Sequence, residues 1–429
     1  MQSLWNLFYI VAALLLWPRW AWRAMTRGDY VAGLWRKLTG RPPVLPDDRP
    51  VIWMHAICVG EVLLLRPLIE DFRRTGFQVA LSTFTSSGFA AARKAYPTIT
   101  VFYVPFDFSW TVRRVYAALR PRMLVLSELE LWPNLLLEAR RRGVPVLVAS
   151  TRINDEELHF YRRINRMHRP ALRCVNWWGA QTGRDAARVA ELLGPRHTTE
   201  VVVTGSLKFD AAACESDSTA ADELKRLLHY AADDRVLVAG STHDPEESML
   251  LDVVQRIRAA HPELKVILAP RKRHQFGAVA NLLAQRGVAF LLRSRVTTLQ
   301  ASAPDVLLLD TIGELPAVWQ IADFAFVGGT WTTGVGGQNP IEPASLGKPV
   351  CLGPHSWNFE ETAHGLIAAG GAAQFETPEQ FEELIRCWLQ DPEAARAMGR
   401  RAAEFVSSRR SAAGLTIGAM RRWAGTESP

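Results

Sequence analysis

The fold is decided by residues 324–347, which read FAFVGGTWTTGVGGQNPIEPASLG. An apolar run ends at Val327, five glycines follow in a loop, and Asn339-Pro340 is typical of an N-cap followed by the first residue of a helix. Strand, loop and helix in this order make up the βα unit of a parallel sheet. The stretch therefore predicts an α/β domain with a ligand loop at the end of a strand.

The same alternation of β-branched apolar runs and helical patterns covers the chain from Val51 onward. The predicted strands of the first half are 51–56, 79–82, 101–104, 123–127, 144–149, 177–180 and 201–204. Those of the second half are 236–239, 266–269, 288–292, 306–309, 324–327 and 350–352. Predicted helices lie between them, for example 61–74, 132–142 and 185–193. Two consecutive doubly wound parallel sheets are expected, with ligands beyond the carboxyl ends of their strands.

Length and composition agree with two domains. The chain has 429 residues, more than one hydrophobic core usually organises. The small and polar segment 211–219 has no apolar period and is the predicted connection. The predicted boundaries are 1–25 for an N-terminal anchor, 26–212 and 213–405 for the two domains, and 406–429 for a C-terminal tail that returns to the first domain.

Charge and cysteine content narrow the class of protein. The 50 Lys and Arg residues exceed the 43 Asp and Glu residues, which gives a net charge of +7 and favours an anionic partner. Phospholipid, nucleotide and nucleic acid all meet that description. The five cysteines show neither disulfide nor metal-site spacing, which indicates a reducing compartment.

The amino terminus has the pattern of a membrane anchor. Residues 1–18 carry no charged side chain, and the basic residues that follow are Arg19, Arg23, Arg27, Arg36 and Lys37. This order places the rest of the chain in the cytoplasm. The apolar run is slightly shorter than the roughly 20 residues that span a bilayer. A hydrophobic helix docked on the globular body is therefore the open alternative.

The glycine-rich stretch has two interpretations. Free N–H groups at a helix start suit a phosphate, and Glu342 in the first turn suits ribose hydroxyls. Alternatively, Asn339 and Glu342 form only a capping box. We favour the ligand site because glycines such as Gly336 and Gly337 permit close approach of the backbone to a ligand, which capping does not require.

Two more loops of the second half follow predicted strands and are expected at the same edge. One contains Ser241 and His243, and the other contains Arg271 and His274. Arg271 is suited to a phosphate or a base. The two histidines are more often ordinary polar surface residues.

Acidic residues follow two strands of the first half. Glu61 comes after the first strand at the start of a helix, where it is suited to act as a general base or simply as a favourable first-turn charge. Glu128 and Glu130 follow the fourth strand, and we expect only one of them to serve a site. A structural role for this pair is equally open.

Basic residues recur at helical spacing in the first half, without interleaved acids. They are Arg162, Arg166, Arg169 and Arg173. Such a stripe suits anionic lipid headgroups or acceptor phosphates, although a solvated face is the simpler alternative, and Pro170 interrupts the helix.

Missing motifs exclude several activities. The segment from Gly334 to Asn339 lacks the third glycine of a dinucleotide fingerprint, and no phosphate-loop lysine or nucleophile-elbow serine is present. The acidic DxD pair of many metal-dependent glycosyltransferases is also absent. Neither a metal nor a cofactor is expected.

In their order along the chain and in their amino-acid sequence, these motifs resemble those of the 3-deoxy-D-manno-octulosonic acid (Kdo) transferases of lipopolysaccharide assembly. The resemblance covers nearly the whole chain, and its most specific parts are ELELWPN at 128–134, TGSLKFD at 204–210 and GGQNPIEPASLG at 336–347. It implies a GT-B type enzyme with two Rossmann-like domains facing a cleft, an acceptor-binding domain first and a nucleotide-sugar-binding domain second.

The resemblance also implies an activity. This is metal-independent, inverting transfer of Kdo from CMP-Kdo to a lipid A precursor, lipid IVA, at the cytoplasmic side of the inner membrane, with no nucleic-acid partner. Glu61 would be the general base and Glu130 would orient the reacting groups. The donor would be bound by Lys208, Ser241, Arg271, Gly336, Gly337, Asn339 and Glu342, and the arginine stripe would meet the phosphorylated lipid.

Two departures from the family pattern affect the donor loops. Gln338 stands where family members usually have histidine, and 270–276 differs from a PRHPERF-like run while keeping Arg271. Other functions stay open: a transferase or epimerase of the same fold with another nucleotide sugar, or an inactive, membrane-attached binder of lipid A or nucleotide.

Overall fold

The computed structural model describes residues 1–26, 33–195, 197–213 and 218–425. The chain divides into two compact units. The first contains Met1–Ala211 together with Arg410–Pro429, and the second is Ala212–Arg409. Arg27 and residues 214–217 of the predicted connection lie outside the described residues.

The first unit is built on a parallel sheet with the strand order β3-β2-β1-β4-β5-β6-β7. Its strands are β1 Val51–His55, β2 Gln78–Thr83, β3 Thr100–Tyr103, β4 Met123–Ser127, β5 Val146–Thr151, β6 Trp177–Ala180 and β7 Glu200–Val203. Most strand residues are buried, because helices cover both faces of the sheet. The expectation of a doubly wound parallel sheet is confirmed.

The helices of the first unit lie between these strands and at the two chain ends. They are α1 Gln2–Thr26, α2 Leu34–Thr39, α3 Val59–Leu64, α4 Arg66–Arg74, α5 Ser86–Ala95, α6 Ser109–Leu119, α7 Pro133–Arg142, α8 Asp155–Leu172, α9 Gly183–Leu193 and α10 Leu207–Ala213. The helix predicted over 61–74 is two helices that meet at Leu65. Gly143 and Gly194 cap α7 and α9 with positive φ, as the sequence predicts.

The second unit repeats the architecture with the strand order β10-β11-β9-β8-β12-β13-β14. Its strands are β8 Arg235–Thr242, β9 Leu264–Pro270, β10 Phe290–Leu292, β11 Val306–Leu308, β12 Phe324–Val327, β13 Val350–Leu352 and β14 Ala372–Gln374. The edge strand β14 was not predicted, because Ala-Ala-Gln has neither β-branched residues nor an apolar alternation.

Helices flank this second sheet as well. They are α11 Ser218–Leu227, α12 Glu246–Arg258, α13 Phe276–Gln285, α14 Leu315–Ile321, α15 Ile341–Ser345, α16 Glu360–Ala368, α17 Pro378–Gln390 and α18 Pro392–Ser407. The chain then enters α19, Ala412–Ala424, whose Ala419 and Met420 are buried against one face of the first sheet. Arg421 of α19 forms an ion pair of 2.7 Å with Asp71 of α4.

None of the helices in the described part of the chain combines the length and the apolar character needed to cross a bilayer. The anchor predicted for residues 1–25 is therefore not confirmed.

One face of α1 docks on the first unit. Trp5 is buried, the Asn6 amide donates to the Ser109 hydroxyl at 2.8 Å, and the Tyr9 hydroxyl donates to an oxygen of Asp107 at 2.8 Å. The opposite face is apolar and exposed, with Leu7 and Leu14 among its residues. The docked helix that the sequence left open is thus observed over this segment.

Asp107 connects α1 to the start of α7. Its carboxylate also accepts the backbone N–H groups of Asn134 and Leu135, each at 2.8 Å. These two groups belong to the first turn of α7, where no intrahelical acceptor exists. Burial raises the pKa of Asp107 to about 7, and the two N–H groups and the Tyr9 hydroxyl oppose that rise.

Removing the Asp107 carboxylate should loosen this junction. We expect Asp107→Ala to lower the free energy of unfolding by about 3 kcal/mol, because it leaves two buried N–H groups without acceptors. Tyr9→Phe removes a single hydroxyl and should cost only about 1 kcal/mol. Urea unfolding measures both values, and equal losses for the two variants would contradict this role of Asp107.

Candidate functional site

Three glutamates and one lysine of the first unit form a group, here called the acid group, beyond the carboxyl ends of its strands. Glu61 lies in the first turn of α3 after β1, and Glu128 and Glu130 lie in the loop after β4. Lys208 lies in α10, with its Nζ 3.8 Å from Oε1 of Glu128. Since β1 and β4 are neighbours in the sheet, the loops that follow them meet at one edge.

Glu61 is held by its own helix start. One carboxylate oxygen accepts the Ile57 N–H at 3.0 Å, and the other accepts the Cys58 thiol at 3.4 Å. Burial raises the pKa of Glu61 to about 7, and the charge of Glu128 raises it further, whereas the Ile57 N–H and Lys208 oppose the rise. A carboxylate with a pKa near neutrality is well suited to accept a proton. The favourable first-turn charge is also real, so the two interpretations of Glu61 are compatible.

Glu130 is the second partly buried acid of the group. Its Oε2 accepts the indole N–H of Trp132 at 2.8 Å. Burial raises the pKa of Glu130 to about 8, and the negative charge of Glu61 raises it as well. The pKa values of both acids are therefore raised, so the group favours holding a proton near neutral pH.

The expectation that only one acid after β4 would serve a site assumed an extended backbone, which the structure does not have at Glu128. Glu128 adopts a φ of 52°, a left-handed conformation that non-glycine residues rarely take. The backbone therefore turns at this residue, and the charge of Glu128 raises the pKa of both Glu61 and Glu130.

His55 is a member of the site to which the sequence analysis gave no role. It ends β1, is fully buried, and its Nδ1 lies 2.9 Å from the Ser82 hydroxyl. Its Nε2 lies 3.9 Å from Oε2 of Glu130 and has no hydrogen-bond partner among the described residues. Burial lowers the pKa of His55 to about 4, so the ring is neutral at pH 7. The sequence signal that could have identified His55 as a site residue is a histidine at the end of an otherwise apolar strand.

The predicted donor residues other than Lys208 belong to the second unit, where the glycine-rich loop follows β12. Glu246, at the start of α12, holds this loop. Its carboxylate accepts the N–H groups of Gly329 at 2.7 Å, Trp331 at 2.9 Å and His243 at 2.9 Å. Sequence reasoning missed Glu246, because a glutamate in a first helical turn is ordinary and two of its three partners lie 83 and 85 residues away.

Packing inside the protein accounts for one of the predicted ligand glycines. Gly336 has a φ of 85°, and a Cβ built on it would lie 2.1 Å from Nε1 of Trp357. Gly337 has a φ of 84°, and its Cβ would lie 3.1 Å from the Thr330 methyl group. Glycine at 336 is thus required by the protein itself, so its presence alone does not indicate a ligand.

Asn339 and Glu342 interact through their side chains, and not as the capping box of the alternative interpretation, because Pro340 and not Asn339 is the N-cap. The Asn339 amide donates to Oε1 of Glu342 at 3.1 Å, and its Oδ1 accepts the Ile341 N–H at 3.1 Å. The helix begins at Ile341 with Pro340 as its N-cap, one residue later than predicted. Glu342 also accepts the Trp319 indole N–H at 3.3 Å.

The remaining predicted donor residues lie at strand ends of the same sheet. Ser241, near the end of β8, has a φ of 56°. Such left-handed non-glycine residues are strained and often occur at functional sites. Arg271 follows β9, is exposed, and donates from Nε to the side-chain oxygen of Gln338 at 3.1 Å. Arg271 is therefore linked directly to the glycine-rich loop.

Three of the four stripe arginines are engaged with α9 and the loop after it. Arg162 pairs with Glu191 at 2.6 Å, Arg169 donates to the Leu192 carbonyl, and Arg173 donates to the Leu193 carbonyl. Arg166 is exposed. Pro170 lies inside α8, which continues to Leu172. A role of the stripe in acceptor or membrane binding stays a prediction, and Arg166 is best placed for it.

The raised pKa of Glu130 predicts a pH-dependent effect of Glu130→Gln. The unfolded carboxyl titrates near 4.5 and the folded one near 8. Between these values only the folded state keeps the proton, so the free energy of unfolding falls as pH rises. Glutamine mimics the protonated acid and removes this loss. We expect the variant to gain on the order of 2 kcal/mol over the wild type between pH 5 and pH 9.

Urea unfolding at several pH values measures this gain. Glu156→Gln, at an exposed position in the first turn of α8, is the matched control and should show no gain. A difference between Glu130→Gln and the wild type that stays constant with pH would contradict the raised pKa.

Glu246 and Glu247 are adjacent buried acids with different partners, which predicts different costs for the same substitution. Glu246→Gln turns an NH₂ group toward a backbone N–H donor and should cost about 3 kcal/mol. Glu247 accepts the Thr242 hydroxyl at 2.6 Å and its own backbone N–H, and the hydroxyl can reverse its role. Glu247→Gln should therefore cost less than about 1 kcal/mol. Thermal unfolding compares the two, and equal costs would contradict the clamp on the glycine-rich loop.

Comparison with known proteins identifies relatives over the whole chain. A sequence profile described as 3-deoxy-D-manno-octulosonic-acid transferase (kdotransferase) matches residues 33–211. The 3-deoxy-D-manno-octulosonic acid transferase of Bordetella pertussis is 32% identical over 430 residues, covering 96% of this chain and 97% of the relative. The enzyme of the same name from Haemophilus influenzae is 28% identical and covers 84% of each chain.

Among solved structures, UDP-GlcNAc 2-epimerase from Neisseria meningitidis, bound to UDP-GlcNAc, is similar with a TM-score of 0.61. It is 13% identical, and the match covers 87% of this chain and all of the epimerase, so it shows a GT-B-like fold and nothing about the reaction. The similarity to the Bordetella pertussis enzyme extends over nearly the full length of both chains. The chain therefore belongs to the family of 3-deoxy-D-manno-octulosonic acid transferases, which are glycosyltransferases.

Proposed function

We propose that the protein transfers Kdo from CMP-Kdo to lipid IVA, a lipid A precursor, with inversion at the anomeric carbon and without a metal ion. The observation that carries the proposal is Glu61, a partly buried carboxylate in the first turn of α3 whose pKa is raised to about 7. Family membership supplies the donor sugar. The acceptor and the stereochemistry are part of the proposal.

In this reaction Glu61 acts as the general base. Its carboxylate takes the proton of an acceptor hydroxyl, and the hydroxyl oxygen forms a bond to the anomeric carbon of Kdo. The bond from that carbon to the CMP phosphate oxygen breaks on the opposite face, so the configuration inverts. Lys208 lowers the pKa of Glu61 and so favours the ionised form that the step requires.

Glu130 acts beside Glu61 without being the base. Its raised pKa keeps it protonated at neutral pH, so it can donate a hydrogen bond to the acceptor and orient the hydroxyl. The Trp132 indole fixes the carboxyl group through Oε2. A protonated Glu130 also adds no negative charge that would hinder ionisation of Glu61.

We propose that the loops of the second unit bind CMP-Kdo. Arg271 supplies positive charge for the phosphate, and its link to Gln338 holds it at the glycine-rich loop. Asn339 contacts the phosphate or the sugar carboxylate, and Glu342 accepts hydrogen bonds from the ribose. The proposed site is completed by the backbone of Ser241, Gly336 and Gly337. Arg271 supplies the positive charge that a metal ion supplies in metal-dependent enzymes.

The exposed face of α1 supports a membrane-surface location. Leu4, Leu7, Leu14 and Leu15 are exposed on a helix whose other face is fixed by Asn6 and Tyr9. An apolar face of this kind can lie in the interface of a bilayer without crossing it. We propose that α1 attaches the protein to the cytoplasmic leaflet of the inner membrane and that Arg166 meets anionic headgroups or acceptor phosphates there.

Replacing the base should remove transfer while sparing donor binding. We expect Glu61→Gln to lower kcat by about 10²–10⁴-fold, since that is the usual contribution of a general base. CMP binding should be unchanged, because Glu61 belongs to the first unit. Mass spectrometry of the lipid product in excess EDTA measures transfer, and isothermal titration with CMP measures binding.

The controls separate the parts of this proposal. Glu156→Gln removes an exposed carboxylate of the first unit and should retain full activity. An active Glu61→Gln variant would exclude Glu61 as the base. Loss of wild-type transfer in EDTA with recovery on adding a divalent cation would exclude the metal-independent mechanism, and the absence of any Kdo adduct would exclude the activity.

A further inference from the structure

An apolar cavity of about 600 Å³ lies in the first unit. Its walls are α1, α8 and the loops that follow β2, β3 and β4. Aromatic and aliphatic side chains make up most of the lining, among them Trp5, Phe84, Phe106, Phe160 and Ile164. This volume is in the range of protein pockets that enclose a small ligand or one segment of a larger one.

Most polar groups in the walls bond to the protein itself, although Nδ1 of His168 has no hydrogen-bond partner among the described residues. The Asp107 carboxylate accepts from Tyr9 and from the start of α7. The His168 ring lies between Trp5 and Tyr161, and its Nε2 lies 2.9 Å from the Leu131 carbonyl. Burial lowers the pKa of His168, so this ring is neutral. A polar or charged ligand would thus find few hydrogen-bond partners in the cavity. Transfer of an apolar chain from water into the cavity would instead be favourable.

The cavity adjoins the acid group. Leu129 and Leu131, on either side of Glu130, both line it. The Trp132 ring also lines it, while the indole N–H of the same residue donates to Glu130. A molecule whose hydroxyl reaches Glu61 and Glu130 therefore has an apolar space directly beside the point of reaction.

We propose that this cavity binds one acyl chain of the lipid acceptor. The inference rests on the proposed function, because that function places an acylated sugar at the acid group. An acceptor with a polar, reactive end and an apolar tail matches the two adjoining surfaces. The docked face of α1, fixed through Asn6 and Tyr9, then forms one wall of the acyl site, so α1 takes part in acceptor recognition as well as in attachment.

Filling the cavity should selectively weaken the use of an acylated acceptor. Ala13→Trp on α1 and Ile164→Trp on α8 narrow the cavity from two walls. For each variant we expect KM for tetraacylated lipid IVA in detergent to rise about tenfold, which is what losing about two buried methylene groups would cost. KM for the fully deacylated, bisphosphorylated disaccharide and KM for CMP-Kdo should stay unchanged.

Leu415→Trp is the matched control, because it places the same side chain at an exposed position of α19 in the first unit, outside the cavity. It should leave all three KM values unchanged, so a change there would show that the effect does not depend on the cavity and would overturn the proposal. The midpoint of thermal unfolding shows whether each variant is folded. If Ala13→Trp unfolds, Ala13→Leu fills less of the cavity and should give a smaller shift in the same direction.

Other results separate this inference from the proposed function. Unchanged KM for the acylated acceptor in folded variants, or equal KM changes for both acceptors, would overturn the acyl site while transfer itself stands. Equal KM values of the wild type for the acylated and the deacylated acceptor would also overturn the acyl site. Failure of the wild type to transfer Kdo to either acceptor would instead overturn the proposed function, and the acyl site with it.

Discussion

Burial of carboxylates at the carboxyl edge of the first sheet is the constraint on which the site depends. The order β2-β1-β4 brings the loops after β1 and β4 together, and each loop carries a glutamate whose pKa is raised toward neutrality. Ionising both acids there is unfavourable, and the Ile57 N–H, the Trp132 indole and Lys208 offset only part of that cost. The raised pKa values therefore suit the group to proton exchange near pH 7. The same burial of acids lowers the free energy of unfolding.

The second unit uses a buried glutamate in the opposite way. Burial raises the pKa of Glu246 as well. The carboxylate of Glu246 accepts three backbone N–H groups, however, whereas that of Glu61 accepts one. Transfer of a proton to Glu246 would weaken three hydrogen bonds and release the loop they hold. The number of fixed donors thus distinguishes a carboxylate that shapes a loop from one that is available to a substrate.

Local sequence patterns predicted the fold well and the contacts of the site less completely. Apolar β-branched runs located the strands of both sheets apart from β14, and Gly143 and Gly194 marked helix ends, because these signals depend on neighbouring residues. Glu61 and Glu130 were predicted from their places after strands. Glu246 and Asp107 were missed, because their acceptor roles involve backbone groups from 27 to 85 residues away.

The same limit explains why sequence patterns misjudged the roles of some site residues. The glycines were interpreted as making room for a ligand, yet at Gly336 the neighbour that leaves no room for a Cβ is Trp357, which only the folded loop brings near. The left-handed turn at Glu128 likewise has no signature in the residue type, since glutamate rarely adopts it. Such positions are set by the tertiary structure and overrule local preference.

In the amino-terminal helix α1, a few polar residues on one face determine that an otherwise apolar segment docks on the protein. Gln2, Asn6 and Tyr9 recur at helical spacing, which places them on one face, and Asn6 and Tyr9 bond to buried groups of the first unit. Those bonds fix the rotation of α1 about its axis, so its exposed leucines present a defined surface. A helix that crossed a bilayer would have to leave these partners and expose Asn6 and Tyr9 to lipid. The proposed attachment at the membrane surface needs only one docked face and one free apolar face.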